Sequence, residues 1–73
     1  MKLQSTINTI LAACNKEYIF ALDIDLDICE DKIFIRFLEV DAITIDSIVK
    51  INKELQSTFD CIHLDVNIIK INL

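Results

Sequence analysis

The chain contains no glycine, no proline and no tryptophan, and it has one histidine among its 73 residues. Without glycine it can form neither a P-loop nor the G-x-G-x-x-G turn of dinucleotide-binding proteins, because both bring backbone close to phosphate at glycine positions. The lack of glycine and proline also excludes collagen-like sequences and flexible linkers. Hydrophobic residues make up 53% of the chain, a content that favours a folded domain over disorder.

The length predicts one small domain over residues 1–73. A domain of this size buries only about 60% of the surface of its unfolded chain, so disulfides, metals or self-association often add stability. The three cysteines, Cys14, Cys29 and Cys61, form no C-x-x-C pair. An odd number of cysteines favours free thiols in a reducing compartment, and we therefore expect a cytoplasmic protein.

The net charge of −5 comes from one segment of the chain. Residues 23–46 contain eight acids and two basic residues, giving −6, whereas the rest contains four acids and five lysines, giving +1. An acidic protein is poorly suited to bind nucleic acid or an anionic membrane directly, because both ligands favour a basic surface. The sequence therefore predicts neither of these as a partner.

Two segments, residues 3–15 and 44–56, have apolar side chains at the spacing of an amphipathic helix. The first stripe contains Leu3, Ile7, Ile10, Leu11 and Cys14, and the second contains Ile45, Ile48, Val49, Ile51 and Leu55. Asn15 is predicted to end the first helix and Thr44 to cap the second.

Residues 11–14 resemble a bacterial lipobox with Cys14 as the lipidated residue. A signal peptide needs an apolar stretch of about 7–15 residues, and polar residues interrupt this one repeatedly. We therefore expect Cys14 to be buried in the helix stripe rather than lipidated.

Three segments show the two-residue period of half-buried strands: residues 18–29, 32–40 and 59–73. A two-residue turn at Glu30 and Asp31 would place Asp25 opposite Arg36, although the absence of glycine leaves a longer turn open. In the third segment the apolar positions change phase after Ile68. A bulge near residues 67–69 would explain this change and would turn the last apolar side chains outward.

These elements predict an α+β fold, a two-layer αββαβ sandwich in which two helices cover one face of a three-stranded mixed sheet. A right-handed crossover through the second helix makes strand 3 parallel to strand 2. The strand order 2-1-3 is favoured, and a position of strand 3 beside strand 2 is the alternative.

The uncovered face of this sheet is predicted to have two unlike ends. The end near the turn carries Asp25 and Asp27, with Glu30 and Asp31 beyond, and these acids together with Asp23 are the predicted partner-binding residues. The other end carries an apolar group, predicted as the interface of a homodimer: Ile19, Leu38, Val40, Ile69, Ile71 and Leu73. Contiguous exposed apolar groups mark contact sites in most proteins.

Cys61, His63 and Asp65 lie at alternate positions of the third strand and contain two good zinc ligands. Neighbours on one face of a strand are about 7 Å apart, so three in a row rarely reach one ion. A Cys–His hydrolase would also need a cleft that so small a sandwich hardly provides. We therefore predict no metal, no cofactor and no catalytic residue.

Three functions fit these observations. The first is a small acidic interaction module that docks its Asp-rich hairpin on a basic partner protein, such as one that handles nucleic acid, and so imitates a row of phosphates. Small inhibitors from phages and toxin systems resemble it in size and charge, as an analogy of class without a shared motif. The alternatives are a structural subunit that oligomerises through the apolar sheet end and strand 3, and a Cys/His metal-binding protein.

Overall fold

The computed structural model describes residues 3–73 and contains two helices and four strands. In chain order these are α1 (Leu3–Lys16), β1 (Leu22–Asp27), β2 (Lys32–Phe37), α2 (Ala42–Leu55), β3 (Cys61–Asp65) and β4 (Ile68–Asn72). The strands form one antiparallel sheet in the order β1-β2-β4-β3. The α+β class with two helices is thus confirmed, whereas the three-stranded mixed sheet is wrong.

The predicted third strand is a hairpin of two strands, joined by Val66 and Asn67. A two-residue turn shifts the apolar positions by one residue, just as a bulge would. The alternating pattern of the sequence is therefore compatible with either a turn or a bulge. In the hairpin, Leu64 lies opposite Ile69, and Ile62 lies opposite Ile71. Ile69 and Ile71 are fully buried, so their predicted outward orientation is wrong.

The strand order also differs from the favoured 2-1-3. The crossover through α2 does leave β3 parallel to β2, but β4 lies between them and pairs with both. The part of the predicted third strand that lies beside β2, as the alternative had it, is its second half, β4. As a result β1 and β3 lie at opposite edges of the sheet.

The turn between β1 and β2 has four residues, 28–31, instead of two. Asp31 adopts a positive φ of 54°, which Asp tolerates better than most residues. The longer turn moves the register by two residues, so that Asp23 lies opposite Arg36 and Asp25 lies opposite Phe34. A shift of two residues leaves the paired side chains of Leu22–Asp27 and Lys32–Phe37 on their predicted faces.

Helix α1 ends one residue later than predicted and reverses at Tyr18, whose φ is 57°. The Tyr18 amide donates to the Asn15 carbonyl at 3.0 Å, and the Ile19 amide donates to the Cys14 carbonyl at 3.0 Å. These two bonds form a Schellman motif, which normally has glycine at the left-handed position. Tyr18, not Asn15, therefore supplies the reversal.

Helix α2 begins two residues earlier than predicted because Asp41, not Thr44, is its N-cap. The Asp41 carboxylate accepts a hydrogen bond of 2.8 Å from the Thr44 backbone amide. That bond lowers the pKa of Asp41 because it stabilises the charged form. Thr44 itself lies in the first turn of the helix and is buried.

The core lies between the helices and the inner face of the sheet. Its buried members come from α1, β2, α2 and β4: Ile10, Ala13, Cys14, Ile33, Ile35, Phe37, Ile48, Ile51, Leu55, Ile69 and Ile71. Burial of Cys14 is confirmed, and Val49 lies outside this cluster and is exposed. Because β1 and β3 contribute only half-buried side chains to the core, the central strands are its base.

The chain repeats one arrangement, a helix followed by a β-hairpin, and the two copies meet where β2 pairs with β4. The register gives the sheet two distinct ends. At the turn end lie the β1–β2 turn, the start of β3 and the end of β4. At the loop end lie the start of β1, the end of β2 and the Val66–Asn67 turn.

Val66 has a φ of 53°, an unfavourable conformation for a β-branched residue, at the first turn position where two-residue hairpins prefer glycine. We expect Val66→Gly to raise the free energy of unfolding by about 0.5–1 kcal/mol, because relief of the steric clash exceeds the entropy lost by glycine. Val66→Ala is the matched control, since it shortens the side chain and keeps Cβ. Urea denaturation should show a glycine variant more stable than the alanine variant, and the reverse order would contradict the prediction.

Replacement of Asp41 by alanine should lower the melting temperature at about pH 7, because the Thr44 amide loses its acceptor. Asp41→Asn retains an oxygen acceptor and should lower it less. Since the folded-state pKa of Asp41 is lowered, its contribution is complete above the unfolded pKa of about 3.9 and is lost as pH falls through the folded value. An equal gap between wild type and Asp41→Ala at about pH 7 and about pH 2 would show that the carboxylate is not the cap.

Candidate functional site

The outer face of the sheet consists of three rows of side chains that run across the four strands. One row is Asp23, Arg36, Ile68 and Asp65, the next is Asp25, Phe34, Lys70 and His63, and the third is Asp27, Lys32, Asn72 and Cys61. The alternation of each strand places these side chains opposite the core. Acids therefore follow the β1 edge, while the basic residues follow the two central strands.

The acidic surface consists of the five predicted partner-binding residues, Asp23, Asp25, Asp27, Glu30 and Asp31. The structure brings them together: the first three project from the outer face of edge strand β1, and the other two lie in the turn that follows. All are exposed except Asp27, which is half-buried. The Asp27 carboxylate accepts a hydrogen bond of 3.2 Å from the Glu30 amide and so orders the turn.

Basic residues of β2 offset part of the acidic surface. Arg36 pairs with Asp23 at 3.3 Å, where the sequence predicted Asp25 as its neighbour. Lys32 pairs with Glu30 at 2.9 Å, and this hydrogen-bonded cation lowers the pKa of Glu30. Within the acidic surface, the ion pairs formed among residues 3–73 include neither Asp25, Asp27 nor Asp31, and Asp25 and Asp31 are the two of these that are exposed.

The loop end of the sheet is apolar, and we call its exposed side chains the loop-end patch. The patch comprises Tyr18, Phe20, Leu38, Val40, Ile43 and Val66. Leu38 and Val40 were predicted to be exposed there, whereas the alternation of the predicted strand over residues 18–29 puts Tyr18 and Phe20 on the same side as its core-facing residues. The left-handed conformation of Tyr18 delays that strand until Leu22 and leaves both aromatic rings in solvent.

The other residues of the predicted homodimer interface lie elsewhere. Ile69 and Ile71 belong to the core, and Ile19 is half-buried against it. Leu73 is exposed but lies at the turn end, where its amide donates to the Asp31 carbonyl at 2.8 Å, because β4 runs antiparallel to β2. The six residues thus do not form one surface, and self-association itself stays a prediction.

Cys61, His63 and Asp65 project from the outer face of β3 at successive alternate positions. Within residues 3–73, no three side chains of His, Cys, Asp or Glu lie close enough together to hold a metal ion. Cys29 lies in the β1–β2 turn, with β2 and β4 separating β1 from β3, so the fold does not bring it beside Cys61. All three cysteines are free thiols.

The chain matches no known family model, no curated protein sequence and no solved structure. Over residues 3–73, none of the helices has the length and hydrophobicity required to cross a bilayer.

The cysteines differ in the reactivity that the fold allows them. Burial raises the pKa of Cys14 to about 11, whereas Cys29 and Cys61 are exposed. Because the thiolate is the reactive form, we expect two thiols to react rapidly with a disulfide reagent at about pH 8, and the third only after denaturation. A C29S/C61S variant should show no rapid reaction, and rapid labelling of Cys14 in it would contradict this placement.

Proposed function

We propose that this protein is a small, non-enzymatic interaction module that docks its acidic surface on a basic partner protein in the cytoplasm. The observation that carries the proposal is the row of Asp23, Asp25 and Asp27 on an edge strand whose inner-face residues Leu22 and Ile24 pack against the core. The strand pleat holds alternate carboxylates about 6.5–7 Å apart. A partner therefore meets regularly spaced negative charges on a stiff support.

A regular row of carboxylates can occupy a surface that otherwise receives phosphates. The partners that carry such surfaces are proteins that bind nucleic acid, and their basic clefts attract acids over long distances. The proposal thus includes an inhibitor that acts as a DNA mimic, in the manner of the small acidic inhibitors of phages and toxin systems. Lys32 and Arg36 reduce the charge of two acids, which leaves Asp25 and Asp31 as the principal contacts.

The deciding variant is Asp25→Asn with Asp31→Asn. Asparagine keeps the shape of both side chains and tolerates the left-handed conformation at position 31. Asp46→Asn with Asp60→Asn is the matched control, because it makes the same change of net charge, from −5 to −3, at exposed positions outside the acidic surface. A partner is first obtained by retention of a basic protein from the lysate of the source organism on the immobilised chain.

We expect the Kd for that protein to rise about tenfold in the Asp25/Asp31 variant, and its dependence on salt to become weaker. The Asp46/Asp60 control should bind like wild type. Unchanged affinity and salt dependence in the Asp25/Asp31 variant would show that the acidic surface serves solubility and not docking.

A further inference from the structure

The loop-end patch is a large apolar surface for so small a protein. Its six side chains are each between 53% and 83% exposed. Single exposed apolar residues are common, but a contiguous group rimmed by polar residues marks a contact site. The patch lies at the opposite end of the sheet from the β1–β2 turn, so the acidic surface does not account for it.

Three segments of chain are joined to form this patch. The Leu38 amide donates to the Ala21 carbonyl at 2.9 Å and ties the α1–β1 loop to the end of β2. The Asn67 side chain donates to the Phe37 carbonyl at 2.9 Å, and the Phe37 amide donates to the Asn67 carbonyl at 2.9 Å, which fix the β3–β4 turn beside them. A cavity of about 190 Å³ opens between the first two segments, lined by Tyr18, Ile19, Phe20, Ala21, Glu39 and Thr44.

The charged residues of the three segments that form the patch are all acidic. In residues 17–21, 38–43 and 65–67, every charged residue is an acid: Glu17, Glu39, Asp41 and Asp65. The flanking cations are Lys16, which pairs with Glu54 at 2.6 Å, Arg36, which pairs with Asp23 at 3.3 Å, and Lys70, which lines a cavity together with Asp65. The acidic rim of the patch therefore consists mainly of Glu17, Glu39 and Asp41. A second copy of the protein, placed by a two-fold axis, would bring these acids together, which opposes self-pairing here.

We infer that the loop-end patch is a docking site for an amphipathic helix with basic residues on its polar face, supplied by a partner protein. An apolar stripe would cover the patch, and lysine or arginine on both sides would face the acidic rim. The occupant is helical because the patch presents side chains from loops and a turn rather than a strand edge with free backbone groups. A helix satisfies its own backbone and binds through side chains at positions i, i+3, i+4 and i+7.

This inference rests on the proposed function only in that the partner is a basic protein. Asp23 lies at the loop end and Asp27 at the turn end of β1. One partner can therefore place a helix on the patch and extend along the acidic surface. The two surfaces have no residue in common, so variants can separate them.

The test uses the full chain and three synthetic 18-residue peptides. The first has leucine at helical spacing and lysine elsewhere, the second has the same composition in scrambled order, and the third has glutamate in place of lysine. Calorimetric titration should show binding of the first peptide, with a Kd at least about tenfold lower than for the other two. Equal binding of the first two peptides would overturn the inference, because no amphipathic surface would then be recognised.

The protein variants then locate the binding site. Phe20→Ser with Ile43→Ser should weaken binding of the leucine–lysine peptide about tenfold or more, because both side chains are exposed and anchor the apolar contact. Ile28→Ser with Leu73→Ser is the matched control, since it removes two exposed apolar side chains at the turn end. Glu17→Gln with Glu39→Gln should weaken binding less and flatten its salt dependence, whereas Asp41 is left unchanged because it caps α2.

Backbone amide shifts of the wild-type protein provide a readout that does not depend on how the variants fold. The peptide should shift resonances of residues 17–21, 38–43 and 65–67. Shifts confined to residues 23–31, together with binding lost in the Asp25/Asp31 variant and kept in the Phe20/Ile43 variant, would overturn the inference and leave the proposed function standing. Sedimentation of the wild type as a dimer that the Phe20/Ile43 variant dissociates would make a second copy the occupant and would also overturn it.

Discussion

The pairing of β2 with β4 is the interaction on which the rest of the structure depends. It sets Ile33 opposite Ile71 and Ile35 opposite Ile69, and all four side chains are fully buried. These isoleucines form the base on which both helices pack, and the pair also joins the two helix–hairpin halves of the chain. Removal of so much apolar surface from water at one place is the main stabilising effect available to a domain of this size.

A sheet that is apolar on one face must place its alternate residues on the other, and this determines where the charge lies. The charged residues of β1 and β2 project from the face opposite the core, with the acids on the edge strand and the cations on the central one. The position of the acids on an edge strand also has a structural use, because charged side chains on an exposed edge discourage pairing with a second sheet. We expect charge on the β1 edge to discourage such pairing whether or not the acidic surface binds a partner, which is why its function needs the charge-matched control.

The helices, the inner-face residues of β2 and the exposure of most of the acidic surface could be predicted from the sequence, because each depends on a period that recurs over several residues. The β3–β4 turn could not, since a bulge and a two-residue reversal change the phase alike and Val66 gives no turn signal. The predicted β1–β2 register was also wrong, because the sequence without glycine did not reveal the length of the turn. Arg36 was therefore assigned to Asp25 instead of Asp23. The loop-end patch was predicted only in part, because the alternation of residues 18–29 starts before the strand itself, which begins at Leu22.

The lack of glycine bears both on the turns that the sequence did not predict and on the proposed docking site. Among residues 3–73, three adopt positive φ, and two of them, Tyr18 and Val66, have large side chains that belong to the loop-end patch. Each pays for an unfavourable backbone conformation that glycine would relieve, and neither is buried in the core, so folding alone gives no reason for the side chain. Strained conformations of this kind concentrate at functional sites, where the side chain is needed for a purpose other than stability. Tyr18 and Val66 contribute exposed apolar surface beside an acidic rim, which is the property that a basic amphipathic helix would require.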